Sequence, residues 1–371
     1  MNILVFSWRD PKHPFAGGAE QVMHEHMKGW VDAGNLVVLF TSCFPGAAKD
    51  EMLDGVQIIR RGNQILTVHI LALFWYLFAK HEKFDLVVDE FHGIPFFSPL
   101  FVKAKKLAVL QEVAGSVWLK NDLPIPLNWI VGRIGYYLEP LVFLLYRKTP
   151  FMVGSQSAKD ALVKIGISAQ NITIVNHGVI INKPKKSIKK ESGKTIIFLG
   201  ALAKDKGIED AIETFAILNN KGNYNFWVVG RSGESYRRYL KNKVGKLGIK
   251  DKTIFWGFVS QNEKFKLLAR AHLLINPSIL EGWGLVNIEA NAMGTPVIAY
   301  NSPGLVDSVK NGVSGLICNN NSPECLADSI GKVLNDEILY ENLQKGAVSW
   351  SRKFSWNKSR EKGLTLTNSL V

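Results

Sequence analysis

The sequence predicts an α/β protein of two Rossmann-like domains, each built around a parallel sheet. Short β-rich apolar runs alternate with longer segments of helical period, which is typical of βαβ units. The length of 371 residues corresponds to about two domains at roughly 150 residues each. Residues 183–194 interrupt the pattern with a polar, basic stretch that contains Pro184, which indicates an interdomain linker. We therefore expect one domain at 1–182, a second at 195–354, and a tail at 355–371 that crosses back to the first.

Each apolar run predicts one strand, and each helical segment after it predicts a crossover helix. The predicted strands of the first domain are Ile3–Phe6, Val37–Phe40, Val56–Ile59, Leu86–Val88, Leu107–Leu110, Phe151–Val153 and Ile172–Val175. Those of the second domain are Thr195–Leu199, Phe226–Val229, Thr253–Trp256, Leu273–Asn276, Pro296–Ala299 and Gly315–Ile317.

The composition excludes disorder and points to an anionic partner. Hydrophobic residues make up 47% of the chain and charged residues 21%, as in an ordinary folded protein. The formal net charge is +13, and residues 1–180 hold 17 basic and 15 acidic side chains, so most of the excess lies beyond them. Nucleic acid, an anionic membrane surface and a phosphorylated small molecule all remain candidate partners.

Cysteine usage and hydropathy narrow the class of protein. Cys43, Cys318 and Cys325 form neither a disulfide framework nor a zinc-binding pair. The first residues enter an apolar strand without a basic leader, so we expect a cytoplasmic protein. The apolar stretch Ile65–Phe78 is shorter than the roughly 20 residues that a membrane-spanning helix needs.

Two glycines follow the first predicted strand and precede a predicted helix. Gly17 and Gly18 would let backbone N–H groups approach a ligand, with phosphate held at the helix N-terminus. A plain glycine-rich turn explains these two residues equally well. The G-x-G-x-x-G fingerprint is absent here, which argues against a nicotinamide-dependent enzyme.

The second domain carries a more specific pattern. Lys206 and Gly207 stand at a helix entrance, where an ammonium group can meet a phosphate oxygen. Farther along, Glu281-Gly282-Trp283-Gly284 precedes a helix expected to begin near Leu285, and Glu289 follows Glu281 by eight positions. A helix of that length spans about 12 Å, comparable to the distance from a donor sugar across its diphosphate to the ribose, so each carboxylate could accept hydrogen bonds from the hydroxyls of one of the two sugars. The two glycines leave room for the diphosphate at the helix N-terminus.

With these motifs, the chain resembles the retaining nucleotide-sugar glycosyltransferases of family 4, which have the two-domain GT-B arrangement with both sheets facing a central cleft. The E-x7-E motif is the most specific part of the resemblance. Other segments agree with it in order: GGAEQ near the start, HGIPFFSPLFV from His92, SQSAKDAL from Ser155, the Lys206-Gly207 pair, and GLVDSVKNGVSGLI from Gly304.

The resemblance implies a role for each matching residue. Glu281 would contact the donor sugar, Glu289 the ribose hydroxyls and Lys206 the diphosphate, while Gly17 and Gly18 would line the cleft from the first domain. We also expect contacts with the nucleotide sugar near the following residues: Gly200, Arg231, Gly257, Phe258, Gly282, Trp283, Gly284 and Leu285. His177, in the segment before the linker, is a weaker candidate for a cleft contact.

Two positions depart from the family pattern. Ala201 follows Gly200 where most members have an arginine, so one diphosphate cation is missing unless Lys204 or Arg231 replaces it. Gln111 stands where relatives often have a histidine that faces the donor sugar, and an amide cannot take up a proton. A catalytically weakened transferase is therefore one alternative.

No metal site or cofactor is expected. His24 and His26 are two residues apart and do not share a helix face, and neither H-E-x-x-H nor D-x-D occurs. The nucleotide sugar would be a substrate, and the reaction would not need a metal.

Two aromatic-rich stretches of the first domain allow two interpretations. The segments 65–78 and 124–153 resemble interfacial helices that dock on a bilayer, and they also resemble buried core helices, which we favour for much of both. The membrane interpretation implies a lipid-linked saccharide as acceptor, peripheral attachment at the inner face of the membrane, and a role for the excess charge in attracting anionic lipid.

The sequence thus predicts a metal-independent transferase that moves a sugar from a UDP- or GDP-sugar to a saccharide or lipid-linked saccharide, with retention, in polysaccharide or glycolipid synthesis. A nucleotide-sugar epimerase of the same architecture is the main alternative. A nucleic-acid-binding module is disfavoured because no basic-aromatic motif of a known nucleic-acid fold is visible.

Overall fold

The computed structural model describes residues 1–65, 67–91, 93–120, 125–179 and 188–371. It divides into two compact units. The first comprises Met1–Gly178 and Trp356–Val371, and the second comprises Val179–Ser355. Residues 183–187 of the predicted linker and His92 lie outside the described residues.

The first unit is an α/β layer structure around one sheet. Its strands β1–β8 are Asn2–Phe6, Leu36–Thr41, Asp50–Leu53, Val56–Arg60, Leu86–Phe91, Lys105–Leu110, Phe151–Val153 and Ile172–Ile174. Its helices α1–α4 are Gly18–Asp32, Thr67–Phe78, Leu127–Leu145 and Gln156–Ile165, and α12 is Trp356–Leu370. The strand order is β3-β4-β2-β1-β5-β6-β7-β8, and all neighbours pair in parallel except β3 with β4.

The second unit contains a fully parallel sheet in the order β11-β10-β9-β12-β13-β14. Its strands β9–β14 are Lys194–Leu199, Tyr224–Val229, Thr253–Gly257, Leu273–Asn276, Val297–Ala299 and Gly315–Ile317. Its helices α5–α11 are Ile208–Asn219, Glu234–Lys246, Gln261–Arg270, Leu285–Ala292, Leu305–Ser308, Pro323–Asn335 and Glu337–Ser351. The predicted α/β class with two parallel sheets is confirmed.

Local signals in the sequence explain where several helices begin and end. Ser155 Oγ accepts a hydrogen bond from the Ala158 N–H at 3.1 Å and begins α4, and Gly166 ends that helix with a φ of 103°. Ser322 caps α10 in the same way, directly before Pro323 at its first position. One strand escaped prediction: β3 alternates between exposed and half-buried residues at the sheet edge, so it has no apolar run.

Helices α2 and α3 differ from the favoured prediction of core burial, which is wrong for most of their length. In α2 only Val68 and Ala72 are buried, and α3 buries only Gly132, Glu139 and Phe143. Their exposed side chains include Ile70, Phe74, Leu77, Phe78, Trp129, Ile130, Ile134, Tyr137 and Leu141. An apolar composition does not say whether a second layer covers a helix. Among the described helices, none is long and apolar enough to span a bilayer.

Candidate active site

Four strands of the second unit end side by side and bring the predicted residues to one edge of the sheet. Gly200 follows β9, Arg231 follows β10 by one residue, Gly257 ends β11, and Asn276 ends β12. In open parallel sheets, ligands bind at this carboxyl edge. The strand ends approach closely: the Gly230 N–H donates to the Gly257 carbonyl oxygen at 2.9 Å, and a Cβ on Gly230 would overlap the Gly200 carbonyl oxygen.

Lys206 and Glu281 form an ion pair, although 75 positions separate them in the sequence. Lys206 Nζ lies 3.0 Å from Glu281 Oε1 and donates a hydrogen bond to the Leu280 carbonyl oxygen at 3.3 Å. The two loops are joined by a main-chain bond from Ile279 N to Asp205 O at 2.9 Å. Both side chains keep about a quarter of their surface exposed, 25% for Lys206 and 22% for Glu281. The pair is therefore within reach of a ligand.

The glycine-rich loop after Glu281 leads into α8, which begins at Leu285 as predicted. Gly284 precedes the helix with a φ of 76°, and a Cβ there would lie 2.9 Å from Asn287 Nδ2. Asn287 locks the loop because its amide joins Asn276 at 2.8 Å and Ser308 Oγ at 2.9 Å. The segment from Glu281 to Gly284 is not helical, so the fully helical 12 Å spacing does not apply.

The side chain of Trp283 is buried within the second unit. Its ring is 4% exposed and packs against Val179, Ile288 and Phe354, with the ring centroids of Trp283 and Phe354 5.0 Å apart. The side chain therefore stabilises the loop from behind. A ligand at the N-terminus of α8 would meet the main chain of Gly282, Trp283 and Gly284, and the predicted contact of Trp283 stays a prediction.

Glu289 lies one turn inside α8 and is paired with a cation from α7. Lys264 Nζ is 2.5 Å from Glu289 Oε1. The Glu289 side chain is 9% exposed, and this burial raises its carboxyl pKa, while Lys264 opposes the rise. The carboxylate oriented in this way is the group that the sequence assigned to the ribose hydroxyls.

Arg231 and Phe258 lie together where β10 and β11 end. The Arg231 guanidinium stands over the Phe258 ring at 5.0 Å, and Phe258 is 73% exposed. An exposed aromatic ring beside a cation suits the base or the diphosphate of a nucleotide. Ala201 leaves no cation directly after Gly200, and Arg231 is at the same sheet edge.

The first unit holds the other predicted residues. Gly17 caps α1, and its N–H donates to Glu20 Oε2 at 2.7 Å, so the exposed Gly17-Gly18 turn opens the helix. Glu20 itself is buried. The predicted turn before a helix N-terminus is therefore present.

Gln111 and His177 contact each other in the first unit. His177 Nε2 is 3.0 Å from Gln111 Oε1. The imidazole packs directly against Gly154, where a Cβ would overlap His177 Nε2. Burial lowers the His177 pKa to about 3, with a further contribution from the charge of His26. His177 is thus buried, neutral and in contact with Gln111, and its predicted contact with a ligand stays a prediction.

Sequence reasoning missed Glu90 in β5. Its side chain is 2% exposed, next to the equally buried Asp89. The available signal was a pair of acidic residues inside an otherwise apolar run. In the described part of the chain, no group of three or more His, Cys, Asp or Glu side chains could hold a metal ion.

Comparison with known proteins identifies the family. The profile of "Glycosyl transferases group 1" matches residues 179–350. A 2-deoxystreptamine glucosyltransferase of Streptomyces kanamyceticus is 31% identical over 277 residues, which cover 73% of this chain and 68% of the relative. The chain belongs to the group 1 glycosyl transferases. It is accordingly a glycosyltransferase.

Two further similarities concern length and fold. This glycosyltransferase is 32% identical over 172 residues to an uncharacterized glycosyltransferase of Methanocaldococcus jannaschii, an alignment that spans 45% of the chain but only 43% of the relative. The solved structure of HepE from Anabaena in complex with UDP-glucose superposes with a TM-score of 0.75 at 18% identity and full coverage of both chains. At that identity, the likeness shows the fold alone.

Proposed function

We propose that this glycosyltransferase moves a sugar from a UDP- or GDP-sugar to a saccharide or lipid-linked saccharide, with retention of the anomeric configuration. The observation that carries the proposal is the Lys206–Glu281 pair at the carboxyl edge of the second sheet, beside the N-terminus of α8. A neighbour in fold was solved with UDP-glucose, and a relative is named as a glucosyltransferase. Both fit a nucleotide-sugar donor.

In this mechanism the second unit stabilises the leaving group. Lys206 and the main-chain N–H groups of 282–285 would hold the diphosphate as the bond to the anomeric carbon breaks. Glu281 would accept hydrogen bonds from the transferred sugar, and Glu289 from the ribose. When the donor binds, Lys206 would leave Glu281 and contact the phosphate oxygens instead. The Glu281 carboxylate would then be available to the transferred sugar. No step requires a metal ion.

The first test is a panel of UDP- and GDP-sugars scored by thermal stabilisation and by transfer to saccharide acceptors. Ligand binding to the native state raises the melting temperature, which identifies the donor. We expect Lys206→Ala and Glu281→Gln to lower kcat by at least about tenfold, as loss of one electrostatic contact to the transition state does.

Lys221→Ala is the matched control, because Lys221 forms an exposed pair with Asp328 in the same unit. It should leave both readouts unchanged. Conversion of a nucleotide sugar to its epimer without an acceptor would contradict the transferase proposal and favour the epimerase.

We further propose that the first unit contacts an anionic membrane through α2 and α3. Apolar side chains cover the outer faces of both helices, which is uncommon unless a partner covers them. The Arg133 guanidinium stacks 3.6 Å from the Trp129 ring centroid, and Arg147 and Lys148 follow the end of α3. Aromatic and cationic side chains combined in this way suit the headgroup region of an anionic bilayer. A membrane partner is consistent with a lipid-linked acceptor.

Liposome sedimentation tests this contact. Ile130→Glu with Ile134→Glu places two charges one helical turn apart on the exposed face of α3 and should abolish binding to vesicles of phosphatidylglycerol and phosphatidylcholine. Ile338→Glu changes a still more exposed isoleucine, in α11 of the second unit, and should bind like the wild type. Equal sedimentation of all three proteins, or a concentration-dependent dimer that the double variant disrupts, would contradict the proposal.

A further inference from the structure

Glu90 is a buried acidic residue that has no role in the proposed transfer reaction. It lies in β5 opposite Val109 of β6, one residue before the strand ends. Strand alternation places its side chain on the face of Leu86 and Val88, which belong to the apolar cluster under α1 and α12. A carboxyl group at such a position needs a chemical reason.

Asp89, the preceding residue, shows what a structural carboxylate looks like in this sheet. It accepts hydrogen bonds from the Phe96 N–H at 3.0 Å, the Ser98 N–H at 3.1 Å and the Tyr146 hydroxyl at 2.6 Å. Three donors anchor the loop after β5 and the end of α3. Asp89 is therefore explained by the fold.

Glu90 has no comparable partner. Across the described residues, neither of its carboxyl oxygens has a hydrogen-bond partner, and both are buried. The Ser7 hydroxyl is beside it but donates its proton to the Arg9 carbonyl oxygen at 2.9 Å. A buried polar group without a hydrogen-bond partner destabilises the folded protein, so Glu90 weakens the fold that contains it.

Burial raises the Glu90 pKa to about 8; the neighbouring Ser7 hydroxyl opposes this rise, and the charges of Glu20 and Asp89 add to it. At pH 7 the Glu90 carboxyl group is therefore protonated in most of the molecules. Such a group can both donate and accept a hydrogen bond, as a sugar hydroxyl does.

Gln111 provides a second unsatisfied group on the same face. Gln111 follows Val109, the partner of Glu90, by two residues along β6, so strand alternation turns the two side chains to one side of the sheet. Its Oε1 faces His177, while its Nε2 has no partner within the described residues. One carboxyl group and one amide N–H thus lie together at the carboxyl edge of the first sheet, where ligands of such sheets bind.

We propose that Glu90 and Gln111 form a subsite in the first unit that binds a sugar hydroxyl. The inference rests on the proposed glycosyl transfer, since it adds a residue to that reaction. Gln111 Nε2 donates to the hydroxyl oxygen, and the Glu90 carboxyl exchanges a second hydrogen bond with the same group. The hydroxyl belongs either to the transferred sugar or to the acceptor saccharide.

The stability of the ligand-free protein separates this role from a structural one. Glu90→Met replaces the unsatisfied group with an apolar side chain of similar length, so we expect the melting temperature to rise. Asp89→Asn, the matched control, disturbs a satisfied network and should lower it. In a transfer assay, Glu90→Met should lose at least about tenfold in kcat/KM, as the loss of one good hydrogen bond to the transition state does, and Glu90→Gln should lose less.

The source of the hydroxyl follows from a second assay, hydrolysis of the nucleotide sugar without an acceptor. A loss in both hydrolysis and transfer assigns the hydroxyl to the transferred sugar, and a loss in transfer alone assigns it to the acceptor. A lower melting temperature for Glu90→Met, or wild-type transfer by that variant, would overturn the proposal.

Failure of the proposed function is recognised separately, by a wild type that neither transfers nor hydrolyses any sugar of the panel. In that case, sugar binding tests whether Glu90 and Gln111 form a subsite. At high concentration, free monosaccharides should raise the melting temperature of the wild type, and UDP-sugars should raise it more than UDP does. Glu90→Met should show neither of these additional increases in melting temperature. Equal increments, or none in the wild type, would overturn the subsite.

Discussion

Gly207 places Lys206 beside Glu281. Its φ of 69° lies in the left-handed region, and a Cβ on this residue would overlap the Pro277 carbonyl oxygen. The turn before α5 can therefore approach the loop after β12 only with glycine at this position. The sequence marked Gly207 as a helix entrance, and the contact with Pro277 explains why no larger residue fits.

Gly207→Ala should destabilise the second unit and remove donor binding. The left-handed backbone alone costs an alanine about 1–2 kcal/mol, and the overlap with Pro277 adds to it. Gly245→Ala, inside α6 with open space around its Cα, should instead stabilise by about 0.5–1 kcal/mol. Urea unfolding monitored by tryptophan fluorescence compares the two variants, and equal effects would contradict this role of Gly207.

His26 shows how burial couples stability to pH. It is fully buried in α1, neither ring nitrogen has a partner within the described residues, and burial together with the Arg360 charge lowers its pKa to about 4. Below pH 6.5 the unfolded chain takes up a proton at this site and the native protein does not. Stability is therefore lost as the pH falls from 6.5 towards 4.

We expect His26→Leu to remove this part of the pH dependence. Between pH 6.5 and 4.5 the free energy of unfolding should fall less steeply than in the wild type, by about 1.4 kcal/mol per pH unit for one proton. Denaturant unfolding at several pH values measures the slope. Parallel profiles for the two proteins would show that His26 takes up a proton in the native state as readily as in the unfolded one.

At the scale of elements, α12 packs on α1 through two glycines. A Cβ on Gly363 would lie 2.7 Å from His26 Nδ1, and one on Gly29 would lie 2.9 Å from the Arg360 Cβ. Arg360 also pairs with Glu25 of α1. The last helix of the chain is thus an integral layer of the first unit, although the second unit precedes it in sequence.

Gly363→Leu should force α12 away from α1 and destabilise the first unit by about 1–3 kcal/mol, the usual cost of overpacking. Gly331→Leu in α10 is the control, because a Cβ there has no neighbour within 4 Å. Hydrogen exchange should show faster amide exchange in α1 and α12 for the first variant only. Unchanged protection of both helices would contradict this packing role.

At the scale of the whole molecule, each unit has its own sheet and apolar core. The residues proposed for the nucleotide lie in the second unit, and α2, α3 and Glu90 lie in the first. Binding of a nucleotide stabilises only the part of a protein that holds it, by about 2.7 kcal/mol at a concentration of 100 times Kd. The two units should therefore respond differently to ligands.

Calorimetry should resolve two unfolding transitions, of which UDP or GDP raises one. Gly207→Ala should lower that same transition, and Gly363→Leu should lower the other, which assigns each to its unit. If a nucleotide raises only the melting temperature of the transition that is sensitive to Gly363→Leu, the donor site lies in the first unit and the proposal is contradicted.

Much of the fold was predictable because apolar runs in the chain mark its buried strands. Every predicted strand is present, and β3 was missed because an edge strand needs no such run. The site was predictable where glycines and charged residues stand close in sequence, as from Glu281 to Glu289. Contacts between distant segments, such as that of Lys264 with Glu289, left no pattern to read.

The sequence by itself determined the α/β class, the strands of both sheets, and the loops that carry Lys206, Glu281 and Glu289. These depend on local periodicity, on glycine and on spacing along the chain. Only the tertiary structure decided that α2 and α3 expose their apolar faces, that His177 is buried in contact with Gln111, and that Glu90 lacks the partners of Asp89. Each of these features depends on which distant segment covers a side chain and on which hydrogen-bond donors that segment supplies. A short stretch of sequence contains neither kind of information.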